Sequence, residues 1–303
     1  MAAEARQASG RRFRIRCTAA GVGIVVAVFL AYAGSLFAYS FSRSLGPPDL
    51  EARSDTVVVI RLDGLQTIDN KLDVKVLVVP ADALMDKRFD VLSTDIAVRI
   101  YPWSDLEELR YPRGRTPGEV PTTLVAKGEA EKWPFDTYRT DTISADVLVG
   151  SGDNRETLPA RVEVTGHIHG WDIKSTRSGR SSGSSGKGDD ATVTLVRSRG
   201  ALAFDLGICL VMLTLPAMAL YVAIGTIRGR KKPEAPVITW FAVMVFAIVP
   251  LRSVLPGTPP AGAWIDQAVV LWVLIALVAA LLIYVVAWYR QPDPGLPVHD
   301  RDP

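Results

Sequence analysis

The run ALAFDLGICLVMLTLPAMALYVAIGTI (residues 201–227) decides the fold class of this chain. It contains 27 residues and a single charged side chain, that of Asp205. About 20 predominantly apolar residues are enough for a helix to cross the hydrocarbon core of a bilayer. A helix also satisfies its backbone hydrogen bonds internally, as lipid requires of a spanning segment. The run therefore predicts a transmembrane helix.

Three further apolar runs, at residues 18–40, 235–251 and 266–289, share this composition. The whole chain is 49% apolar and 22% charged, averages that a soluble protein can also have. The distribution decides between the two classes, because the charged residues avoid all four runs almost completely. The sequence predicts a multi-pass membrane protein with four α-helical spans, arranged as one plus three around residues 41–199.

Lysine and arginine set the predicted orientation. Basic residues fill the tail 1–17 (Arg6, Arg11, Arg12, Arg14, Arg16) and the loop after the second span (Arg228, Arg230, Lys231, Lys232). Positive loops stay in the cytoplasm, so residues 41–199 and the loop 252–265 are expected outside the plasma (inner) membrane. Both termini, including the tail 290–303, are expected in the cytoplasm. The first run is interpreted as a retained signal anchor, with a cleaved signal peptide as the alternative.

Residues 41–199 show the period-two alternation and β-branched runs of strands. Seven segments carry this pattern: Thr56–Leu62, Leu72–Val79, Phe89–Tyr101, Pro121–Gly128, Asp141–Val149, Ala160–Trp171 and Ala191–Ser198. Turn residues separate them. The pattern predicts an all-β, antiparallel, sandwich-like extracytoplasmic domain, with a flexible Gly/Ser-rich loop at residues 175–190.

One short aromatic motif stands out in this domain, formed by Trp133, Pro134, Phe135, Asp136 and Tyr138. The proline restricts its own φ and favours an extended conformation for the preceding tryptophan. The aromatic rings supply apolar area with which the loop can be seated. Two interpretations are open: a structural turn between strands, or a loop that docks on the membrane domain and couples the two.

Three charged residues lie at the predicted outer ends of the spans: Asp205, Arg252 and Asp266. A charge near hydrocarbon is costly unless it is paired or reaches the interface. They are either three separate interfacial residues or a polar cluster in which Arg252 bridges both carboxylates and fixes the packing of the last three helices.

His167 and His169 share one face of a predicted strand and are the candidate metal ligands, for zinc or copper. No third ligand is evident, and exposed or core histidines are the alternative interpretation. The sequence contains no GxSxG, HExxH, phosphate-binding Gly-rich loop or CxxC motif. We therefore expect no catalytic residues, no cofactor and no enzymatic activity, although a fold can host a site without a local motif.

Two stretches carry a resemblance to a known family: KWPFDTYRTD (residues 132–141) and LRSVLPGTPPAGAWID (residues 251–266), the second followed by a helix ending in AWYR (287–290). They resemble the actinobacterial four-pass membrane proteins known as domain of unknown function 4436. The likeness runs from the first span to Arg290. It implies the one-plus-three layout and brings no catalytic residues with it.

A second, weaker likeness concerns pentameric ligand-gated channels, whose external β-sandwich presses an aromatic-Pro-Phe-Asp loop on the membrane domain. Residues 133–136 resemble that loop, and Pro216 lies where such channels often have a helix proline. Two departures matter. An extra span precedes the sandwich, and the helix expected to line a pore has few of the polar groups that replace ion hydration.

These observations predict an uncharacterised cell-envelope protein that displays a binding or assembly module outside the membrane. Its expected partners are the lipid bilayer and another membrane or envelope protein. No nucleic acid is expected, because topology accounts for the basic clusters. A channel- or transporter-like homo-oligomer and an envelope enzyme are the alternatives.

Overall fold

The computed structural model describes residues 29–30, 32–34, 45–48, 55–102, 106–152, 155–179, 189–230, 232–257 and 259–290. Of the predicted first span 18–40, only residues 29–30 and 32–34 are described, and these are helical. The rest of that span lies outside the described residues, as do the tail 1–17, residues 291–303 and the stretch 180–188 of the predicted flexible loop.

The chain divides into two compact units. The first, the sheet unit, includes Leu72–Val125 and Arg139–Phe204. The second, the helical unit, includes the described residues from Asp205 on, together with two segments from earlier in the chain, Leu65–Lys71 and Ala126–Tyr138. Each of those segments contains a connection between two strands and the strand ends beside it.

The described strands form three sheets. They are β1 Val57–Gln66, β2 Lys71–Val79, β3 Met85–Asp86, β4 Val91–Leu92, β5 Ile96–Tyr101, β6 Leu109–Tyr111, β7 Val120–Gly128, β8 Thr137–Thr140, β9 Ser144–Val149, β10 Glu156–Pro159, β11 Arg161–Gly166, β12 Trp171–Gly179 and β13 Asp189–Arg197. The largest sheet has the order β11-β1-β2-β7-β8-β13-β12, the second β10-β9-β5-β6, and β3 pairs with β4. The predicted β-rich domain is therefore present.

The expectation of an entirely antiparallel domain is wrong for the pair formed by β1 and β11. β1 and β11 run parallel, with Val57 opposite Arg161 and Leu62 opposite Gly166. A parallel pair needs a long crossover connection, and the intervening strands of the sheets provide it.

Two predicted strands are divided in the structure. The segment 89–101 separates into β4 and β5, and the segment 160–171 ends at Gly166, before β12 begins. Gly166 has φ +114°, and a Cβ on it would lie 2.7 Å from the Leu62 carbonyl oxygen. Only glycine fits such a backbone position. The predicted flexible loop is also shorter than expected, because Gly179 and Asp189 pair across β12 and β13.

The sheet core follows the predicted alternation most clearly in β2. Leu72, Val74, Val76 and Val78 are all buried, and the residues between them are not. Each such side chain contributes about 1.5–3 kcal/mol by leaving water. The hydroxyl of Tyr111 donates to the Val76 carbonyl at 2.9 Å, so this buried hydroxyl is satisfied.

Among the described residues, three helices are long and apolar enough to cross a membrane. They are α1 Arg199–Ile227, α2 Ala235–Ser253, and the segment Asp266–Tyr289. The last begins with one π-helical turn, Asp266–Val270, and continues as α3 Leu271–Tyr289. Pro216 lies inside α1 and Pro250 inside α2.

The three helices bury a common apolar core, which includes Met212 and Ala223 of α1, Phe241 of α2, and Leu277 and Tyr284 of α3. The Phe241 and Tyr284 rings lie 5.3 Å apart between centroids. The Tyr284 hydroxyl accepts from the backbone N–H of Glu234 at 2.8 Å and donates to the Glu234 carbonyl at 3.1 Å. This tyrosine therefore ties α3 to the start of α2.

Candidate coupling site and partner-binding hairpin

The aromatic motif lies in the segment Ala126–Tyr138, here called the docking loop, which belongs to the helical unit. It packs against residues 254–265, here called the connector, which join α2 to the last helical segment. The Trp133–Pro134 peptide bond is cis. Trp133 has ψ 137°, in the extended range expected before proline. The docking loop and the connector together form the candidate coupling site.

Trp133 is the centre of this contact. Its side chain is 1% exposed and shares a buried cluster with Cys209 of α1 and with Leu255, Ala263 and Ile265. Its indole Nε1–H donates to the Pro256 carbonyl at 2.8 Å. A buried indole needs such an acceptor, and the connector supplies it. One side chain of the docking loop therefore contacts both α1 and the connector.

Phe135 makes a different kind of contact. Its side chain is 60% exposed, and its ring stacks on that of Trp264 with 6.3 Å between centroids and 20° between planes. Offset aromatic pairs of this kind add about 0.5–1.5 kcal/mol beyond area burial. Pro134, Asp136 and Tyr138 are buried. The five predicted residues therefore lie together, with Phe135 the exposed member.

The turn Leu65–Lys71 supports the docking loop. Asn70, at φ +55°, accepts hydrogen bonds from the Ala126 N–H through its carbonyl (2.8 Å) and from the Gly128 N–H through its side chain (3.2 Å). The Tyr138 hydroxyl donates to the Thr67 carbonyl at 3.3 Å. A Cβ on Gly128 would lie 2.6 Å from Cε1 of Tyr138, so this position requires glycine.

Arg252 and Asp266 form a two-bond ion pair. Arg252 Nε lies 2.6 Å from Oδ1 of Asp266, and Nη2 lies 2.7 Å from Oδ2. Oδ2 also accepts from the Gly262 N–H at 2.9 Å, and both side chains are largely shielded from solvent. Two parallel hydrogen bonds between an arginine and a carboxylate are among the strongest hydrogen bonds in proteins. The pair joins the end of α2 to the start of the last helical segment, and so holds the two ends of the connector together.

The predicted bridge from Arg252 to both carboxylates is only half present. The other contacts of Arg252 go to the Pro259 and Pro260 carbonyls, each 3.4 Å from Nη2. Within the described part of the chain it makes no bond to Asp205. Asp205 lies in the first turns of α1 with its side chain fully buried. Asp266 occupies the side of the guanidinium that carries Nε and Nη2, so the carboxylate that pairs with Arg252 is that of Asp266.

The histidine pair does not lie on one strand as predicted. His167 and His169 are exposed residues of the β11–β12 connection, because β11 ends at Gly166 and the chain turns at Gly170, with φ +82°. Their ring centroids are 6.3 Å apart. Within the residues that the structure describes, no group of three His, Cys, Asp or Glu side chains is placed to hold a metal ion.

A second candidate site, which sequence reasoning missed, lies on the β3–β4 hairpin of the sheet unit. The Asp86 side chain accepts from the Arg88 N–H at 3.0 Å, and its carbonyl accepts from the Asp90 N–H at 2.9 Å. Asp90 has φ +54°, a conformation that aspartate tolerates. These bonds fix the turn, and the bond from the Leu92 N–H to the Arg115 carbonyl at 3.0 Å anchors the hairpin.

Phe89 occupies the tip of this hairpin with its side chain 65% exposed. The guanidinium carbon of Arg88 lies 5.2 Å from its ring centroid, within cation–π range. Lys87 beside it is also exposed and pairs with Asp82 at 2.8 Å. The sequence signal was available: an aromatic residue among the charges of DKRFD (residues 86–90) is typical of an exposed turn, although we predicted Phe89 to start a strand.

The sheet unit also contains a charge triad. Glu108 accepts from Arg99 at 2.6 Å and from Arg155 at 2.9 Å. Hydrogen bonds from Arg155 and then Arg99 hold the pKa of Glu108 below its ordinary value. The carboxylate therefore stays ionised, and its contribution to stability is lost only as the pH falls through that lowered pKa. We assign the triad a structural role.

Comparison with family profiles gives two adjacent matches. Residues 47–195 match the family described as domain of unknown function (DUF4436). The sheet region is a DUF4436 domain. The DUF4436 match ends at residue 195, whereas the resemblance predicted one family as far as Arg290. Residues 197–291 match a second family, described as domain of unknown function (DUF8686). The docking loop thus falls in the DUF4436 match and the connector in the DUF8686 match.

The comparison with curated proteins finds no match for this chain.

Proposed function

We propose that this chain is a non-enzymatic membrane protein that displays its DUF4436 domain outside the cytoplasm as a binding or assembly module. The β3–β4 hairpin, with Phe89 at its tip, is the proposed partner-binding site. The three candidate spans, and a first span at residues 18–40, would anchor the module as a four-pass protein. The actinobacterial cell envelope, implied by the family resemblance, is the proposed setting.

The observation that carries this proposal is the fixed presentation of Phe89. Isolated exposed apolar residues are common and need no explanation, but Phe89 is held on a hydrogen-bonded turn beside an arginine. Aromatic residues and arginine are enriched at protein interfaces. A turn that is already ordered also loses little entropy when it binds. The hairpin therefore has the composition and the rigidity of a binding anchor.

The chemistry of the hairpin specifies the partner surface. Phe89 requires an apolar pocket about the size of one aromatic ring. Burying the side chain there contributes about 1.5–3 kcal/mol to the free energy of binding. Arg88 favours a carboxylate at the rim of that pocket, where charge steers association. The proposed partner is a membrane or envelope protein with an apolar pocket and an acidic rim.

We expect Phe89→Ala to reduce cross-linking to this partner about tenfold or more, because the variant loses the burial of the ring. The experiment is amine-reactive cross-linking in native membranes, read by mass spectrometry as partner peptides joined to Lys87. Lys87 is unchanged in the variant, so the coupling chemistry is the same. The matched control is Ile68→Ala, which removes a comparably exposed apolar side chain, 58% exposed, from the turn between β1 and β2. Equal yields from wild type and Phe89→Ala would contradict the proposed site.

The proposed topology has its own test. In a chain whose natural cysteines, Cys17 and Cys209, are replaced, we expect Ser151→Cys to react with an impermeant thiol reagent in intact cells. Lys232→Cys, in the loop between α1 and α2, is expected to react only after the cells are opened. Both positions are exposed, so a difference in reactivity reports the side of the membrane. Protection of Ser151→Cys in intact cells would overturn external display.

A channel-like homo-oligomer is the second candidate, and one observation favours it. The docking loop packs its Trp133 indole against the connector, which is the kind of contact implied by the likeness to pentameric ligand-gated channels. Such a contact can transmit a change in a strand loop to the helix ends. Cross-links from Lys87 that join only copies of this chain would favour the oligomer over the partner-binding module.

A further inference from the structure

A groove runs along α1 at the end opposite the connector, within the helical unit. Its described lining residues are Tyr221, Val222, Ile224, Gly225, Arg228 and Arg230, and its volume is about 410 Å³. Tyr221, Ile224, Gly225 and Arg228 are spaced i, i+3, i+4 and i+7, so they share one face of the helix. The groove is thus an apolar helix face that ends in two arginines.

The two arginines are available to an external anion. Arg228 and Arg230 are both exposed, and neither guanidinium has an acidic partner among the residues that the structure describes. Lys232 follows in the same connection and is also exposed. This end of the groove therefore carries positive charge that no acidic side chain in the described part of the chain neutralises.

The open space in the groove lies at Gly225, which has no side chain to fill it. A Cβ added there would meet no atom within 4 Å, so the helix leaves open space between Tyr221 and Arg228. Seven residues of α-helix separate these two, about 10 Å along the axis. The tyrosine is 79% exposed, and such side chains favour the membrane interface. The space suits an apolar chain beneath a charged head.

We infer that this groove binds one anionic phospholipid, with the phosphate between Arg228 and Arg230 and an acyl chain along Val222, Ile224 and Gly225. The inference rests on the membrane location proposed above. The charge of the site selects an anionic head group, since each basic residue near the surface favours anionic lipid. The apolar face selects a lipid over a free phosphate ion, which would leave that face uncovered.

The test is native mass spectrometry of the full-length chain, purified in detergent, delipidated and titrated with phosphatidylglycerol. Arg228→Gln and Arg230→Gln are each expected to lower the apparent affinity roughly fivefold, and the double variant roughly thirtyfold. Gly225→Leu keeps both charges and fills the groove. We expect it to lower the affinity on the order of tenfold, through the lost burial of about two methylene groups.

The matched control is Gly207→Leu, since Gly207 also lies in α1 and a Cβ there likewise meets nothing within 4 Å. It should leave lipid binding unchanged. Phosphatidylethanolamine or inorganic phosphate binding as tightly as phosphatidylglycerol would overturn the inference, and so would insensitivity to Gly225→Leu. A mass increment equal to a second chain would place another copy in the groove and would also overturn it. Carbonate extraction of cell membranes tests the membrane location separately, because an extractable chain refutes the proposed location whatever lipid it binds.

Discussion

Replacing Arg252 by alanine is expected to lower the free energy of unfolding of the helical unit by about 2 kcal/mol. The change removes two short bonds to Asp266, at 2.6 and 2.7 Å, and leaves the carboxylate with the Gly262 N–H as its remaining described donor. Breaking a fully buried pair costs about 3–5 kcal/mol. Both partners here keep some solvent contact, so a smaller loss is expected. The measurement is denaturant titration in mild detergent, followed by helical ellipticity.

Two controls distinguish the loss of the Arg252–Asp266 ion pair from the loss of one positive charge. Arg199→Ala removes an exposed arginine at the start of α1 and should change stability by less than about 0.5 kcal/mol. The exchanged pair, Arg252→Asp with Asp266→Arg, should recover part of the loss, because the two charges still meet across the connector. A stability for Arg252→Ala equal to wild type would show that the pair does not hold the connector.

Replacing Trp133 by alanine is expected to cost more, about 3–5 kcal/mol. The indole is 1% exposed and packs against Cys209, Leu255 and Ala263. Its removal leaves a cavity at the point where the docking loop, the connector and α1 meet. The variant also leaves the Pro256 carbonyl without its indole donor. The same denaturant titration measures the loss, and limited proteolysis should show faster cleavage within residues 126–138.

Two further variants measure separately what the indole hydrogen bond of Trp133 and the ring of Phe135 contribute to stability. Trp133→Phe keeps most of the apolar area and loses the bond to Pro256, so we expect a cost of about 1–2 kcal/mol. Phe135→Ala removes a side chain that is 60% exposed and should cost less than about 1 kcal/mol, its stacking on Trp264 being the main loss. A loss for Trp133→Ala no larger than that for Phe135→Ala would mean that the docking loop does not depend on its indole.

Composition and periodicity determined the elements of this protein. The apolar helices could be predicted because a run such as residues 201–227 admits only one way to satisfy its backbone in lipid. The alternation in β2 was readable for a similar reason, since a strand with one buried face places every second side chain in the core. Both signals are local, and each can be read from a single segment.

Backbone breaks were harder to predict. His167 and His169 looked like neighbours on one strand because their spacing fits period two. What ends that strand is Gly166, whose φ of +114° depends on how closely the Leu62 backbone approaches it. The sequence showed a glycine there, but a glycine alone does not tell whether a strand continues.

The sequence by itself determined that apolar helices follow a β-rich domain. It also indicated Trp133, Arg252 and Asp266 as candidate structural or coupling residues. Only the tertiary structure decided what these residues touch. Trp133 donates a hydrogen bond to Pro256, 123 positions further along the sequence. Arg252 pairs with Asp266 and makes no described bond to Asp205. The physical reason is that propensity and hydrophobic pattern act over a few neighbouring residues, whereas contacts between distant residues are fixed only when whole elements pack together.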